Sequence, residues 1–390
     1  MSQADLLLTL VWESETPAGR VRHRDHLFAA AVDLEKDRLP EALKTALATA
    51  RAGETVTVSV DGLFDGGGIL ETGRAAFQGR RADGSAVTPK VGRFYPAPHF
   101  SGISGTTAAI RCVGVDGDTL TLDTRHPLAD HRLCLSAKVV GSLDRGGAAD
   151  RPPVDWIGSL TNGPGLQACW RGEATAFLDD TAYARPDEAA DPVFYGPPRI
   201  TAHLDSRAQQ VVGNFYSGFI PEDGRVLDLM SSAHSNLARG QRCGSLLGLG
   251  LNAPEMMANE RLDGAAVSDL NAGGAMPFAD NAFNAAICTV SIDYLTDPVR
   301  TVGEVARVLK PGAPFAIAFS NRWFPPKVTR LWTELDPFEQ MALVMQYFER
   351  RFADIETASF RGYPRPMDDP YYRYTMEADP VFAVAGRAVP

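Results

Sequence analysis

The chain has 390 residues, of which 45% are hydrophobic and 22% charged, a composition that excludes a disordered protein because each domain can build a core. The net charge of −10 argues against a nonspecific phosphate-binding surface, so we expect no nucleic-acid partner. No apolar run approaches the ~20 residues that span a bilayer, and no secretory signal is evident at the N-terminus. We therefore expect a cytoplasmic protein without a membrane partner.

The cysteines and histidines form no ligand pattern. The five cysteines are odd in number and widely spaced, and no Cys-x-x-Cys occurs, which favours free thiols in a reducing compartment. The seven histidines lack the spacing of metal ligands, so no metal site is expected. The length of the chain favours two or three domains.

The first predicted region, residues 1–142, combines strands with a short helix. The segment LLLTLVW alternates as a strand does. In residues 39–60, apolar side chains recur at helical spacing up to Gly53, and Thr and Ser then alternate with Val. This pattern predicts a helix followed by a strand. Asp116-Gly117 is typical of a hairpin turn, which predicts a hairpin and then a further strand.

Two segments of this region, LPEALKTALATARAGETVTVSV and LTLDTRHPLADHRLCLSAKVV, resemble the SlyD-like branch of FKBP-type prolyl isomerases. The resemblance implies a β-rich FKBP-like domain over residues 1–142, with an insert-in-flap subdomain at about 67–122. In that family the insert binds unfolded chains, and the segment GRFYPAP fits part of it. The family's pocket holds a proline ring between aromatic side chains, for which Trp12, Phe28 and Phe64 are the candidates.

The chain departs from this family at several positions. The tyrosine expected after Phe64 is absent, and Arg125-His126-Pro127 stands where the family has Asn-His-Pro. The family's histidine-rich metal-binding tail is missing as well. Two interpretations stay open. The region is a prolyl isomerase, or its aromatic side chains serve only as core.

The second region, residues 143–192, is predicted to be a linker or a lid. It begins with a charged, Gly/Pro-rich stretch, DRGGAADRPP, which favours an extended linker. Trp156, Trp170, Phe177 and Tyr183 follow, and these are too apolar for a purely disordered segment. We expect them to pack between domains or over a pocket of the third region.

The third region, residues 193–390, is predicted to be an α/β domain with a doubly wound, Rossmann-like sheet. A helix is predicted from Ser206 to Phe219, with Asp205 or Ser206 as its N-cap. From residue 225 onwards, apolar runs that end in Asp, Asn, Ser or Gly alternate with helical patterns. Because ligands bind beyond the carboxyl ends of such strands, these polar endings predict a cofactor site.

The segment MPFADNAFNAAICTVSIDYLTDPVRTVGEVARVLKPGAPFAIAFSN resembles the class I S-adenosylmethionine-dependent methyltransferases, from their fourth strand to their fifth. With FYGPPRITAHLD, VLDLMSSAHSNL and GLGLNAPEMMANERL, it resembles an uncharacterised branch that carries an LDLMSS signature. The resemblance covers about 195–390 and implies S-adenosyl-L-methionine as the cofactor. Residues 228–234 replace the family's glycine-rich first loop and contain no glycine, and Asn252 replaces the usual acidic residue at the ribose.

Polar residues at the expected edge of this sheet are the site candidates. The resemblance implies that the cofactor contacts Asp228, Ser231, Ser232, Asn252, Asp269, Asn271 and Ser291. The expected acceptor-binding residues are Tyr195, Arg199, His234, Asp293, Asn321 and Arg322. The catalytic candidates are His203, Asp205 and Tyr294, with His203 as a base because its ordinary pKa lies near neutrality. The alternative for Asp205 is a helix cap, and for His203 a surface position.

The favoured function is methyl transfer from S-adenosylmethionine to an unidentified acceptor. That acceptor is a small molecule, or a polypeptide recruited by the N-terminal domain. Two rivals stay open. One is a non-catalytic binding or chaperone protein with a decayed cofactor pocket, suggested by the missing glycines and Asn252. The other is a peptidyl-prolyl cis-trans isomerase.

Overall fold

The computed structural model describes residues 3–60, 62–64, 66–81, 84–103, 109–142 and 151–390. Contacts within the chain define two compact units. One comprises Met1–Phe177 with Phe338–Ala342, and the other comprises Leu178–Pro337 with Leu343–Pro390. The division after Phe177 falls inside the predicted connector, whose residues 143–150 lie outside the described part of the chain.

The first half of the predicted connector belongs to the core of the first unit. Ile157, Leu160 and Ala168 are buried in the same apolar cluster as Leu6, Leu8 and Leu10. These contacts attach the stretch to the first unit. Tyr183, by contrast, is counted with the second unit.

The first unit contains two antiparallel sheets. In chain order its elements are β1 (Gln3–Thr16), β2 (Gly19–Asp33), α1 (Glu41–Leu47), β3 (Thr55–Ser59), β4 (Ile69–Gly73), β5 (Phe94–Pro96), β6 (Ala109–Asp116), β7 (Thr119–Asp123), β8 (Cys134–Ser142) and α2 (Trp156–Thr161). One sheet runs β2-β1-β8-β3 and the other β4-β7-β6-β5. The second sheet lies between residues 69 and 123 and has an apolar cluster of its own, which includes Ile110, Leu120 and Leu122.

Local predictions for this unit are confirmed where the structure tests them. The helix ends before Gly53, which has a φ of +89° that L side chains rarely adopt. Asp116 pairs with Thr119 across the predicted hairpin turn. Trp12 is 2% exposed and donates from its indole nitrogen to Asp25 at 2.8 Å, so this aromatic side chain is part of the core. The FKBP-like identity of the unit stays a prediction.

The second unit is the predicted doubly wound α/β fold. In chain order its elements are α3 (Asp191–Tyr195), α4 (Ser206–Tyr216), β9 (Arg225–Leu229), β10 (Ser245–Gly250), α5 (Ala253–Met257), β11 (Gly264–Val267), β12 (Ala285–Thr289), α6 (Pro298–Val308), β13 (Pro314–Phe319), α7 (Arg330–Thr333), α8 (Pro337–Phe348), β14 (Phe352–Arg361) and β15 (Val381–Ala388). Within α8, residues Phe338–Ala342 are counted with the first unit. No helix in the described residues is long and apolar enough to cross a membrane.

The strand order of the second unit places a crevice at one edge of its sheet. The strands run β11-β10-β9-β12-β13-β15-β14. The first five pair in parallel, and β15 and β14 continue the sheet with antiparallel pairs. The order reverses between β9 and β12, so the carboxyl ends of these two strands flank a topological switch point, where open sheets of this type bind ligands.

Local sequence signals explain the helices and the turn next to the sheet. The Asp205 carboxylate accepts hydrogen bonds from Arg207 N and Ala208 N and starts α4 as predicted, but the helix ends at Tyr216 rather than at Phe219. Before β13 the chain reverses direction at Gly312, which has a φ of +77°. Val305 and Val308 are fully buried on α6, as the sequence pattern predicts.

Candidate functional site

A cavity of about 740 Å³ opens at the carboxyl ends of β9, β10, β11 and β12, within the ~300–1,000 Å³ of typical small-molecule sites. The protein's own side chains do not fill it. The predicted site residues that line the cavity are Tyr195, Arg199, His203, Asp205, Asp228, Ser231, Ser232, His234, Asn252, Asp269, Asn271, Ser291, Tyr294 and Arg322.

Two predicted acceptor-binding residues do not line the cavity. Residues Ile292–Tyr294 form a single 3-10 turn after β12. Because side chains three residues apart eclipse one another in such a turn, Ser291 and Tyr294 share one side, and Asp293 is directed elsewhere. Asp293 is 3% exposed, and burial raises its pKa to about 7. Asn321 is exposed, and its side-chain oxygen accepts a hydrogen bond from Ser320.

Hydrogen bonds hold the loop after β9 in the absence of glycine. The Asp228 carboxylate accepts from the hydroxyls of Ser231 at 2.8 Å and Ser235 at 2.7 Å. Asn259 donates to Ser235 Oγ at 2.8 Å and to the carbonyl of Ser232 at 3.0 Å. Burial raises the pKa of Asp228 to about 6. These bonds fix the loop conformation that glycines usually permit.

The glycines that allow close backbone approach lie on the neighbouring strand. A Cβ at Gly250 would lie 2.2 Å from the carbonyl oxygen of Ser231, and a Cβ at Gly248 would lie 3.0 Å from Ser231 Oγ. In the loop itself Met230 adopts a left-handed backbone conformation, with a φ of +56°. The close contact between β10 and the loop therefore depends on small residues that the sequence pattern did not single out.

Asn252 has a structural task that occupies its amide. Its side-chain oxygen caps α5 by accepting from Glu255 N at 3.0 Å. Its nitrogen donates to the carbonyls of Tyr195 at 2.8 Å and Gly196 at 3.0 Å. Asn252 thus ties the segment before the sheet to the end of β10, and as a neutral amide it brings no negative charge to the expected ribose position.

Glu255 is the acidic side chain at this corner, and it is not among the residues predicted from the sequence. It is 8% exposed and accepts from Arg199 N and from Ser232 Oγ, both at 2.6 Å. The carboxylate therefore joins the first loop to the segment that carries Arg199. The spacing Asn252-x-x-Glu255 is that of a capping box, a signal that could have identified it.

Asp269 and Asn271, which follow β11, differ in their capacity to bind a ligand. Asp269 Oδ1 accepts from the backbone nitrogens of Asn271 at 2.9 Å and Ala272 at 3.3 Å. In the described residues its second oxygen has no partner. Asn271 donates to Asp191 Oδ2 at 2.7 Å and to the Tyr294 carbonyl at 2.9 Å, so its amide is engaged within the protein.

An aromatic group, the Phe324 cluster, forms the wall near α3 and the end of β13. It consists of Tyr195, Arg199, His203, Tyr294 and Phe324, all of which line the cavity. Ring centroids lie 5.5–6.3 Å from that of Phe324, and the Arg199 guanidinium lies 5.4 Å from it. Phe324 follows β13 in the segment NRWFPP. That segment has no periodicity to mark a site residue, and Phe324 is not among the residues predicted from the sequence.

Burial favours the neutral forms of two groups in this cluster, His203 and Tyr195. Burial lowers the pKa of His203, so at pH 7 its imidazole can accept a proton. Burial raises the pKa of Tyr195, so its hydroxyl stays a hydrogen-bond donor. The Tyr294 hydroxyl accepts from Phe324 N at 2.8 Å, which fixes the two rings relative to each other.

The remaining predicted residues have mostly structural contacts. Asp205 caps α4, accepts from Asp379 N and lies 3.5 Å from Arg365, so the cap interpretation accounts for its carboxylate. Arg322 pairs with Asp379 at 3.2 Å and stacks over Tyr371. His234 is exposed at the rim. No cluster of three or more His, Cys, Asp or Glu side chains in the described part of the chain could hold a metal ion.

Comparison with known proteins finds methyltransferases. Residues 231–317 match a family model described as "Methyltransferase domain". Demethylmenaquinone methyltransferase of Lactiplantibacillus plantarum is 29% identical over 133 residues, which are 32% of this chain and 56% of the relative. The chain thus matches little more than half the length of this curated relative.

Two solved structures illustrate the structural similarity. A tRNA (m1A58) methyltransferase, TrmI of Aquifex aeolicus, is 15% identical with a TM-score of 0.34, covering 50% of this chain and 73% of that one. An S-adenosylmethionine-dependent methyltransferase of Mesorhizobium loti is 14% identical with a TM-score of 0.30, covering 45% and 96%.

Proposed function

We propose that the chain transfers the methyl group of S-adenosyl-L-methionine to an acceptor bound against the Phe324 cluster. Residues 231–317 match the model of a methyltransferase domain, and S-adenosyl-L-methionine is the cofactor of this class. The observation that carries the proposal is the open cavity at the switch point between β9 and β12, lined by polar residues that follow four parallel strands.

The residues around the cavity suit this cofactor. The free oxygen of Asp269 can accept from the exocyclic amine of an adenine, and Glu255 supplies the acid that Asn252 does not. Asp228 and Glu255 offer negative charge to a molecule that carries an ammonium and a sulfonium. When bound, the cofactor supplies an electrophilic methyl group. The chain's own residues have to hold the acceptor in line with it and exclude water.

His203 is the candidate base of the site. Its imidazole is neutral at pH 7 because burial lowers its pKa, and its ring packs against Phe324 in the Phe324 cluster. A neutral imidazole within reach of an acceptor can take up the proton that a weak nucleophile loses. Asp205, the neighbouring candidate, is better described as the cap of α4.

Binding of the cofactor is the direct test. Titration calorimetry of the full chain with S-adenosylmethionine and S-adenosylhomocysteine should give binding in the micromolar range. Asp269→Asn keeps one oxygen for the turn but replaces the free acceptor by an N–H donor, which would face the adenine amine. We expect about tenfold weaker binding, since one such contact is worth roughly 1–2 kcal/mol.

The control for this test is Asp263→Asn, a change at an exposed carboxylate that lies outside the cavity. It should leave cofactor affinity unchanged. If the parent protein binds neither nucleoside, the methyltransferase is refuted, and the non-catalytic rival with a decayed pocket takes its place.

For the first unit we propose an FKBP-like domain that binds polypeptides. Its support is the resemblance of its sequence together with the separate sheet β4-β7-β6-β5, which lies in the range predicted for the insert. Titration of the full chain with a permanently unfolded protein, reduced and carboxymethylated α-lactalbumin, should release heat of binding. The absence of binding would remove a recruiting role.

A further inference from the structure

The Phe324 cluster is built around the ring of Phe324. Tyr195, Tyr294 and His203 have centroids 6.3, 6.0 and 5.5 Å from that of Phe324, and they tilt by 72°, 30° and 83° against it. Such edge and offset contacts make a rigid apolar surface, and they leave part of the Phe324 ring, itself partly exposed, at the cavity. A rigid aromatic surface favours a flat ligand over a flexible one.

Two hydrogen-bond donors of the Phe324 cluster have bonding capacity left for a ligand. The Tyr195 hydroxyl is buried and has no hydrogen-bond partner among the described residues. The Arg199 guanidinium donates to the carbonyls of Phe194 at 3.0 Å and Pro197 at 3.4 Å, but it pairs with no carboxylate in the described part of the chain. Both groups are donors, so the missing partner is an oxygen acceptor.

The same arrangement disfavours a cationic acceptor. Aromatic faces attract ammonium groups, but the Arg199 guanidinium already lies over Phe194 at 4.7 Å and over Phe324 at 5.4 Å. A second positive charge at this wall would be repelled by the first. A ring that carries an oxygen, by contrast, can use both the aromatic surface and the two free donors.

We propose that the acceptor is a planar aromatic molecule with a ring hydroxyl, bound against Phe324 and methylated on that oxygen. The inference rests on the proposed methyltransferase function. In the reaction the hydroxyl proton passes to His203, and the oxygen forms a bond to the methyl carbon. The sulfur–carbon bond breaks, and its electron pair stays on the sulfur, which leaves as a neutral thioether. Tyr195 and Arg199 stabilise the negative charge that builds up on the oxygen.

Catechol is a suitable probe because it is small, flat and hydroxylated. Cyclohexanediol has the two hydroxyls on a saturated, non-planar ring, and benzylamine has the aromatic ring with a positive charge. Each is titrated calorimetrically into the full chain saturated with S-adenosylhomocysteine, so that binding is read without turnover. Catechol should bind at least about tenfold more tightly than either control probe.

Two variants locate the binding surface. Phe324→Leu removes the ring from the Phe324 cluster, and Phe219→Leu removes another partly buried ring, which contacts Phe215 outside the cavity. Catechol affinity should fall about tenfold in the first variant and stay within about twofold in the second, with S-adenosylhomocysteine affinity retained in both. With S-adenosylmethionine, mass spectrometry should find singly methylated catechol.

The outcomes separate the inference from the function on which it rests. If the parent binds S-adenosylhomocysteine but binds catechol no better than cyclohexanediol, the aromatic acceptor is refuted and the methyltransferase stands. The same holds if Phe324→Leu binds catechol as the parent does. If the parent does not bind S-adenosylhomocysteine, both proposals fail.

Discussion

Replacing Asp228 by Asn separates what this carboxylate does for stability from what it does for the cofactor. Both serine hydroxyls of the first loop donate to the same oxygen, Oδ2. An amide oxygen in that position can accept both hydrogen bonds, so the loop should keep its conformation. The substitution then removes one buried negative charge.

The magnitude follows from the pKa of the group. Burial raises the pKa of Asp228 from 3.8 to about 6. When folding raises the pKa of a carboxyl, its contribution to stability is fully present at a pH below the pKa of the unfolded state. That contribution is lost as the pH rises through the pKa of the folded state. At pH 7 the ionised form therefore costs about 3 kcal/mol, and at pH 5 about half of that.

We expect Asp228→Asn to be more stable than the parent, with an advantage that grows by about 1 kcal/mol between pH 5 and pH 7. Urea unfolding of the full chain, monitored by tryptophan fluorescence at both pH values, measures it. In the same protein S-adenosylmethionine should bind less tightly, because its ammonium loses a negative partner. A stability difference that stays constant or shrinks as the pH rises would contradict the assigned burial cost.

Three further changes test other parts of the account. Ser231→Ala removes one donor from Asp228 and should cost about 2 kcal/mol, more at pH 7 than at pH 5, as urea unfolding will show. Gly250→Ala forces a Cβ to within 2.2 Å of a loop carbonyl and should abolish cofactor binding in calorimetry, whereas Gly264→Ala, with nothing within 4 Å, should not. Tyr216→Phe deletes a buried hydroxyl with two hydrogen bonds of 2.9 Å and should lower the free energy of unfolding by about 1 kcal/mol, unlike Tyr374→Phe at a 78% exposed ring.

The sheet and the position of its ligand edge could be predicted from the sequence because one physical rule governs both. Apolar runs alternate with helical patterns in parallel sheets, and polar endings such as Asp228 and Asp269 come together wherever those strands end. The helix cap at Asp205 was predictable for a similar reason, since its chemistry acts only on the next three residues.

The tasks of individual side chains at that edge could not be predicted in the same way. Asn252 and Asn271 stand where a ligand contact is expected, but their amides bind carbonyls brought close by chain segments more than 20 residues away. Asp293 and Tyr294 are neighbours in sequence, and a 3-10 turn decides which of them reaches the cavity. Phe324 lies in an irregular loop, where no period marks a buried ring.

The division of the chain shows a further limit. Gly/Pro-rich composition before Trp156 favoured a linker, but the apolar side chains that follow are enough to form a helix buried in the first unit. Composition describes the local tendency of the backbone. Burial of Ile157 and Leu160 against residues near the start of the chain, such as Leu6, is decided by packing and is not visible in a short window of sequence.

The central claim is that the cavity beyond β9 and β12 holds an S-adenosyl nucleoside. A crystal structure of the full chain grown with S-adenosylhomocysteine tests it most directly. We predict density for the nucleoside beside Asp269, with its amino acid end toward Asp228 and Met230. If crystals grown at a saturating concentration of the nucleoside show an empty cavity, or show the nucleoside on another surface of the protein, the central claim is contradicted.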